Sequence, residues 1–363
     1  ETAWESRFTN QVNTQLKNHH YAWLLDWQDS NAATITSELL QAGVKVKVAY
    51  QGFSIEQAGQ TKRFPAGTMV ILTGIQKNIN LVNLQLTQLL RQYPTPITPV
   101  SKGITSQGAD LGSNSFKLLT PISPAMLVGS NISSYEAGEI WQHLDTKLNQ
   151  PLVKLDISRL RYYQLKHYSH IILPEGNYYG LADNEVESIR ECVKRGGILL
   201  VQKEAAKWAA AQGFINNAFL SRKDIRSHFD KQTYSFADKE ALQAKKQIGG
   251  AVFKANLDLG HPLNFGYSAS SIDLLKNKQL IMEEAATQFR DSMVYQSKPL
   301  VAGYASMENV NLVSNSTAMT AHKLGQGAVV AWTDNLLFRG YWVGTEKLFN
   351  NALLISSTLT HRQ

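Results

Sequence analysis

The only thiol in this 363-residue chain is Cys192, in the stretch SIRECVKRGGILLVQKEAAKW (Ser188–Trp208). A cysteine nucleophile works from a sharp turn: a strand ends, the tip carries the thiol, and a helix begins. Cys192 stands before the strand rather than after it. Val186, Ile189 and Val193 recur at helical spacing, so the thiol falls inside a helix that Gly196 and Gly197 stop. The strand-to-helix junction that follows has Gln202, Lys203 or Glu204 at its tip, with no Ser or Cys and no flanking Gly. Cys192 therefore reads as a packing residue, and no catalytic residue is assigned.

Metal chemistry finds no motif. None of the nine histidines is followed three residues later by Glu, and His-Glu-x-x-His is absent. His167 and His170 are three apart in HYSH, but they lead into a strand, where residues three apart face opposite ways. No metal ligand is assigned. GSNISSYEAG (Gly129–Gly138) lies between a strand and a helix, where a phosphate loop would lie, yet it matches neither G-x-G-x-x-G nor the Walker pattern. Weak anion binding at that helix start is all it offers.

Two loops after strands pair aromatics with a charge. PEGNYYG (Pro174–Gly180) holds Glu175, Tyr178 and Tyr179, and TDNLLFRGYWVG (Thr333–Gly344) holds Arg339, Tyr341 and Trp342. A third loop, DLGHPLNFGY (Asp258–Tyr267), places His261 before a proline. An aromatic cleft with a few polar groups is the usual form of a small-molecule site. The candidate ligand set is Glu175, Tyr178, His261, Arg339 and Trp342. The competing reading is that these loops lock the rim of the fold or dock on a neighbouring domain.

Strands and helices must alternate to position such loops. YAWLLDW (Tyr21–Trp27) reads as a buried strand, and a helix follows, capped from Asp29, Ser30 or Asn31 and ended by Gly43. VKVKVAY (Val44–Tyr50) and FPAGTMVILTG read as strands, and NINLVNLQLTQLLRQ as an amphipathic helix. The Pro- and Gly-rich run from Tyr93 to Phe116 reads as a long irregular connection. The order then recurs about 100 residues on, which raises an internal duplication as one reading and ordinary βαβ succession as the other. Strands are expected at Ala125–Ser130, PLVKLDIS, YSHIILPEG, ILLVQ, KPLVAGYA and Ala328–Trp332. Helices are expected from Ser133 or Ser134, from Asp183 or Asn184, over KEAAKWAAAQGF (Lys203–Phe214), and at the C-terminus with Leu348, Ala352 and Ile355 inward. ILLVQ lacks alternation, as a strand buried on both faces does. The expected fold is α/β: an open, mostly parallel sheet with helices on both faces, flavodoxin-like, preceded by a smaller α/β subdomain. The division is residues 1–121 and 122–363.

The composition is 43% hydrophobic, 18% charged and formally +7. Lys and Arg are dispersed, without the basic, aromatic-interleaved stripe of a nucleic-acid binder. No run approaches the 18 or so apolar residues of a membrane span. A single cysteine excludes a disulfide within the chain. The chain opens on Glu1 with a polar, amphipathic segment that reads as a helix leading in from a preceding part, so a fragment is expected.

LVGSNISSYEAGEIWQHLD, YSHIILPEGNY, VKRGGILLV, GHPLNFGY and GQGAVVAWTDNLLFRGYWVGTEKLFNNALL together resemble the C-terminal region of large bacterial zinc carboxypeptidase-like proteins. In those, a metallopeptidase domain is followed by a domain like class I glutamine amidotransferases. The resemblance runs from about Ile122 to the end, and Tyr21–Thr120 looks like the linking stretch. It implies an exported parent, periplasmic or extracellular, that is a zinc metallocarboxypeptidase. This chain lacks the metal motif of the first domain and the elbow cysteine of the second. The expectation is a non-catalytic accessory region without cofactor, zinc belonging only to the missing domain. Its partner is that domain in cis, and a second copy of the chain is a further candidate. The alternative is a binding module for a small polar ligand, a sugar or a peptide end, and a third reading is an unrecognised hydrolase.

Overall fold

The computed structural model describes residues 20–57, 59–229 and 235–360. The leading segment expected as a helix lies outside the described residues. The strands are β1 (Ala22–Leu25), β2 (Lys47–Ala49), β3 (Phe53–Gln57), β4 (Gln60–Phe64), β5 (Met69–Leu72), β6 (Ile97–Val100), β7 (Phe116–Leu118), β8 (Pro124–Val128), β9 (Val153–Asp156), β10 (His170–Leu173), β11 (Ile198–Gln202), β12 (Ala251–Leu257), β13 (Ser271–Lys276), β14 (Asp291–Gly303), β15 (Thr317–Leu324) and β16 (Gly327–Trp332). The helices are α1 (Ala32–Gln41), α2 (Ile79–Gln92), α3 (Ser134–Gln142), α4 (Asp183–Lys194), α5 (Glu204–Ala211), α6 (Arg222–Ser227), α7 (Lys239–Lys245), α8 (Met307–Val313) and α9 (Glu346–Leu354).

Two sheets carry most of the strands. The larger runs β13-β12-β14-β15-β16-β11-β10-β8-β9, and the smaller β6-β1-β5-β2-β7, with β3 and β4 as a separate hairpin. From β16 to β9 every neighbour is parallel. From β16 to β13 every neighbour is antiparallel. The sheet is therefore mixed: the expected parallel order holds from β16 to β9 and gives way to antiparallel pairing from β16 to β13. The cause is local: only Gly325 and Gln326 separate β15 from β16, and a link that short permits only an antiparallel neighbour. Gly325 takes φ 62°, and a Cβ there would meet the Lys194 backbone at 2.7 Å, so the turn requires glycine.

In the parallel half, successive residues go to opposite faces. Ile198, Leu200, Ala328 and Val330 enter one buried cluster, whereas Leu199, Val201, Val329 and Ala331 enter another. Residues of α3 and α9 cover the first face, and those of α4 and α5 the second. This is the two-faced burial that the unalternating ILLVQ predicts. Fully burying one such Leu or Val contributes about 1.5–3 kcal/mol.

The small sheet is antiparallel throughout. The irregular connection expected between Tyr93 and Phe116 supplies two of its strands, β6 and the start of β7. Its arrangement differs from the parallel order of β8, β9 and β10, so the recurring element order does not correspond to a repeated topology. The two halves do not share a sheet, yet their cores join. Trp23, Leu25 and Ile35 lie in the same cluster as Met126, Phe265 and Phe349.

That junction is polar as well as packed. Trp27 Nε1 donates to Asn351 Oδ1 at 2.6 Å, and Asn351 Nδ2 donates to the carbonyls of Leu263 and Phe265 at 2.8 and 2.9 Å. Lys347 Nζ donates to the Trp27 carbonyl at 2.5 Å. The His261-Pro262 loop thus helps hold α9 against the end of β1.

Candidate functional site

Ligands of open α/β sheets sit beyond the carboxyl ends of parallel strands. Here four connections meet there. After β8, the Ser133 hydroxyl accepts from Glu136 N at 3.3 Å and caps α3. After β10, Glu175 takes the Ser133 N–H on its carbonyl at 2.8 Å, tying the two loops together. After β11, a single residue, Lys203, joins strand to helix. After β16 come Thr333, Asp334 and Asn335, all buried.

Lys203 has φ 55° and ψ −117°, a conformation costly for any residue with a side chain. It is the strained strand–turn–helix geometry of a nucleophile elbow. The backbone of an elbow is thus present, with lysine at its tip. Lys203 Nζ lies 2.5 Å from Glu136 Oε1, and both side chains are buried. Glu136 Oε2 accepts from Gln202 Nε2. Burial pushes the Glu136 carboxyl up, against the pull of Lys203. In a working elbow, the N–H after the nucleophile stabilises the oxyanion. Here that N–H belongs to Glu204, and it donates to Glu175 Oε2 at 2.8 Å.

Glu175 also holds Lys278 through Oε1, and Glu204 Oε1 lies 3.3 Å from the same ammonium. Burial works against the charge on Lys278, but the hydrogen bond and charge of Glu175, joined by Glu204, raise its pKa above the ordinary value. These groups flank a cavity of about 450 Å³, lined also by Asn131, Asn177, Tyr179 and Arg222. The Arg222 side chain has no partner among the described residues. Deeper in, Lys276 Nζ stands 3.3 Å from Tyr295 Oη and 3.2 Å from Asp334 Oδ1. Burial pulls the Lys276 pKa down while Asp334 works to raise it.

The five residues of the candidate ligand set do not converge. Glu175 alone lines the rim cavity. Tyr178 is fully buried, donates to the Pro174 carbonyl at 2.9 Å and packs on Trp208; its neighbour Tyr179, 55% exposed, is the one at the cavity. His261 lies on a different cavity and caps a short helical turn, its Nδ1 accepting from Leu263 N at 3.2 Å. Arg339 is held by its backbone N–H on Glu139 at 2.8 Å, and its guanidinium lies over Phe338. Trp342 Nε1 donates to the Asp273 carbonyl at 3.4 Å. Arg339 and Trp342 thus fasten the loop after β16. The residues missed are Lys203, Lys278 and Arg222. The sequence places Lys203 at the junction, but only the observed bounds, a strand ending at Gln202 and a helix starting at Glu204, leave it as the single residue that reverses direction.

Cys192 is buried on α4, and its thiol donates to the Leu165 carbonyl at 3.4 Å. Burial pushes its pKa up, with Arg195 acting the other way. Among the described residues no three His, Cys, Asp or Glu side chains are grouped to hold a metal ion, and no helix is long and apolar enough to cross a membrane.

No family model and no curated protein matches the chain. Among solved structures it is similar to a ThuA-like protein from Parabacteroides merdae, at 12% identity and TM-score 0.43, over 67% of this chain and 92% of that one. A ThuA-like protein from Bacteroides uniformis matches at 11% identity and TM-score 0.40, over 63% and 88%. PurLQS from Thermotoga maritima matches at 14% identity and TM-score 0.39, over 63% and 96%. Likeness at this level says nothing of activity.

Proposed function

We propose that the chain is a non-catalytic accessory region of a larger protein, with a parent of the zinc carboxypeptidase-like kind suggested by its sequence motifs. One observation carries the non-catalytic reading. Both groups that an acyl-transfer elbow must keep free are engaged: the tip side chain, Lys203, is ion-paired to Glu136, and the N–H of Glu204 is capped by Glu175. A carboxylate seated on that N–H repels a developing oxyanion instead of stabilising it. The role left to such a region is packing against a metallopeptidase domain, assembly, or holding substrate for it.

The test is turnover. The purified chain is assayed for ammonia release from glutamine and for hydrolysis of p-nitrophenyl acetate and blocked dipeptides. The expected rate is that of a Lys203→Ala, Glu175→Ala control. A rate well above background that this double variant abolishes overturns the reading. The reading on the parent has its own check: a His-x-x-Glu motif encoded in frame upstream of Glu1 is expected, and a start codon directly before Glu1 rules it out.

A second reading is favoured by the rim cavity, where Arg222 has no partner among the described residues and Tyr179 is half exposed beside Glu175, Asn131 and Asn177. This arrangement suits a small polar ligand, a sugar or a peptide end. Thermal shift against mono- and disaccharides and dipeptides is the measurement. A midpoint rise that Arg222→Ala removes supports it, and no rise with any of them sinks it.

A further inference from the structure

A separate cavity of about 420 Å³ opens where β7 of the small sheet, β15 and the last turn of the chain come together. Its walls include Lys117, His261, Arg290, His322 and Lys323, with Phe289 also lining it. No Asp or Glu is among the described residues that line it. The side chains of Lys117 and Arg290 have no hydrogen-bond or ion-pair partner among the described residues, and Lys323 Nζ has only the Thr360 carbonyl at 3.3 Å. Three cations on one concavity with no acidic side chain among the described lining residues repel one another, and an anion relieves that repulsion.

The nearest acids are already engaged. Asp258 and Asp291 both act on His261, and Asp291 acts on His322. Asp291 accepts from Ala285 N, Thr317 Oγ1 and Asn217 Nδ2 at 2.8, 3.0 and 3.0 Å. Asp258 accepts from Gly260 N at 2.9 Å.

The neutral donors also suit an anion. His261 Nδ1 accepts a backbone N–H, so the neutral ring carries its proton on Nε2, and that N–H has no acceptor among the described residues. The Arg290 carbonyl accepts from Ala321 N at 2.9 Å and Thr320 Oγ1 at 3.2 Å, which fixes the backbone that carries the guanidinium. Phe289 beside it takes φ 61°, rare for a bulky residue, and the residue is 90% exposed. A ring displayed at the edge of a cationic cavity offers a face for stacking.

We propose that this cavity binds a multiply charged oxyanion of the phosphate class, held by Lys117, Arg290 and Lys323 with His261 Nε2–H as a neutral donor. The guanidinium takes two oxygens side by side, and the two ammonium groups supply point charges. The site is distinct from the rim cavity and does not depend on the function proposed above.

The experiment is calorimetric titration of the whole chain with inorganic phosphate, tripolyphosphate and ATP, at ionic strength matched with sodium chloride. Saturable binding of tripolyphosphate or ATP is expected, weakened at least about tenfold by Arg290→Gln and by Lys117→Gln. ATP binding tighter than tripolyphosphate, with the difference lost in Phe289→Ala, assigns a nucleotide; equal binding assigns a simple polyphosphate. Thermal melting in chloride checks that each variant is folded, and Lys102→Gln, an exposed lysine just after β6 at the opposite edge of the small sheet from β7, is the control that leaves binding unchanged. The proposal is overturned by no saturable binding of any of the three anions, or by binding that folded Arg290→Gln and Lys117→Gln variants retain at full strength.

Discussion

Lys276 Nζ and the Asp334 carboxylate stand 3.2 Å apart, and neither side chain reaches solvent to any useful extent. The pair joins the last residue of β13, in the antiparallel wing, to the loop after β16, where the parallel half begins. Tyr295 donates to the other carboxylate oxygen, and Thr333 Oγ1 lies 3.4 Å from the ammonium. Removing one member leaves a buried charge without its partner. Asp334→Ala or Lys276→Met alone is expected to cost about 3–5 kcal/mol in urea denaturation, whereas replacing both with apolar residues of like volume costs far less. Single variants that melt with the parent protein would show that the pair adds nothing.

Acid stability follows from the buried histidines. His143, with Nε2 at 2.7 Å from Asn350 Oδ1, and His170, fully buried on β10, both have their pKa lowered to about 4, chiefly by burial. In the unfolded chain histidine takes its proton near 6.5. Between those values the unfolded state binds more protons, so stability is complete above about pH 6.5 and falls as the pH drops toward 4. His170 alone accounts for roughly 3 kcal/mol by pH 4. Urea midpoints at pH 7, 6, 5 and 4 are expected to decline, and His170→Gln to flatten the decline. A midpoint independent of pH over that range contradicts the burial argument.

The thiol of Cys192 is expected to stay silent toward Ellman's reagent in the native protein and to react fully in urea. A buried thiol with a raised pKa supplies little thiolate. Cys192→Ala is expected to cost ~1 kcal/mol and leave any measured binding unaltered. Rapid native labelling would return the residue to the list of functional candidates.

Asn351 offers a test of how the two sheets cooperate. Asn351→Ala strands Trp27 Nε1 and two buried carbonyls, at roughly 1–3 kcal/mol for each group left unsatisfied. Tryptophan emission and far-ultraviolet dichroism are expected to report one shared transition in the parent protein, because one core spans both sheets. Two well-separated transitions would show that the sheets melt independently. Gly266 sits in the same joint at φ 85°, where a Cβ would lie 2.8 Å from Trp27 Cδ1, so Gly266→Ala is expected to weaken it too.

Much of the parallel half was legible because its signals are local. ILLVQ has no polar alternate, and its neighbours β10 and β16 bury both faces. The antiparallel wing was harder. AVFKANL in β12 alternates buried and partly exposed residues and follows Gly249 and Gly250, but the polar, charged stretch before that glycine pair hides the signal. The five residues of the candidate ligand set are dispersed for a geometric reason. Tyr178 and Tyr179 are adjacent and equivalent in composition, and only the direction in which the loop leaves β10 sends one to the core and the other outward. Arg339 and Trp342 have the chemistry of recognition, yet Trp342 bonds back to the Asp273 carbonyl, and the Arg339 guanidinium lies over Phe338 away from the rim cavity lining. Lys203 was named as a junction residue, but nothing in its type signals a positive φ, which sequences usually announce with glycine.

The order of strands bears on how the chain is made. β16 lies at the middle of the nine-stranded sheet, beside β11, although about 125 residues of synthesis separate them. While the ribosome is still translating that interval, β11 has one lateral face open, and every residue of that strand is destined for burial. Such an edge invites pairing with another nascent chain. Expression truncated before Gly327 should therefore yield inclusion bodies, and holdase chaperones should associate with this protein until the segment from Gly327 onward has emerged.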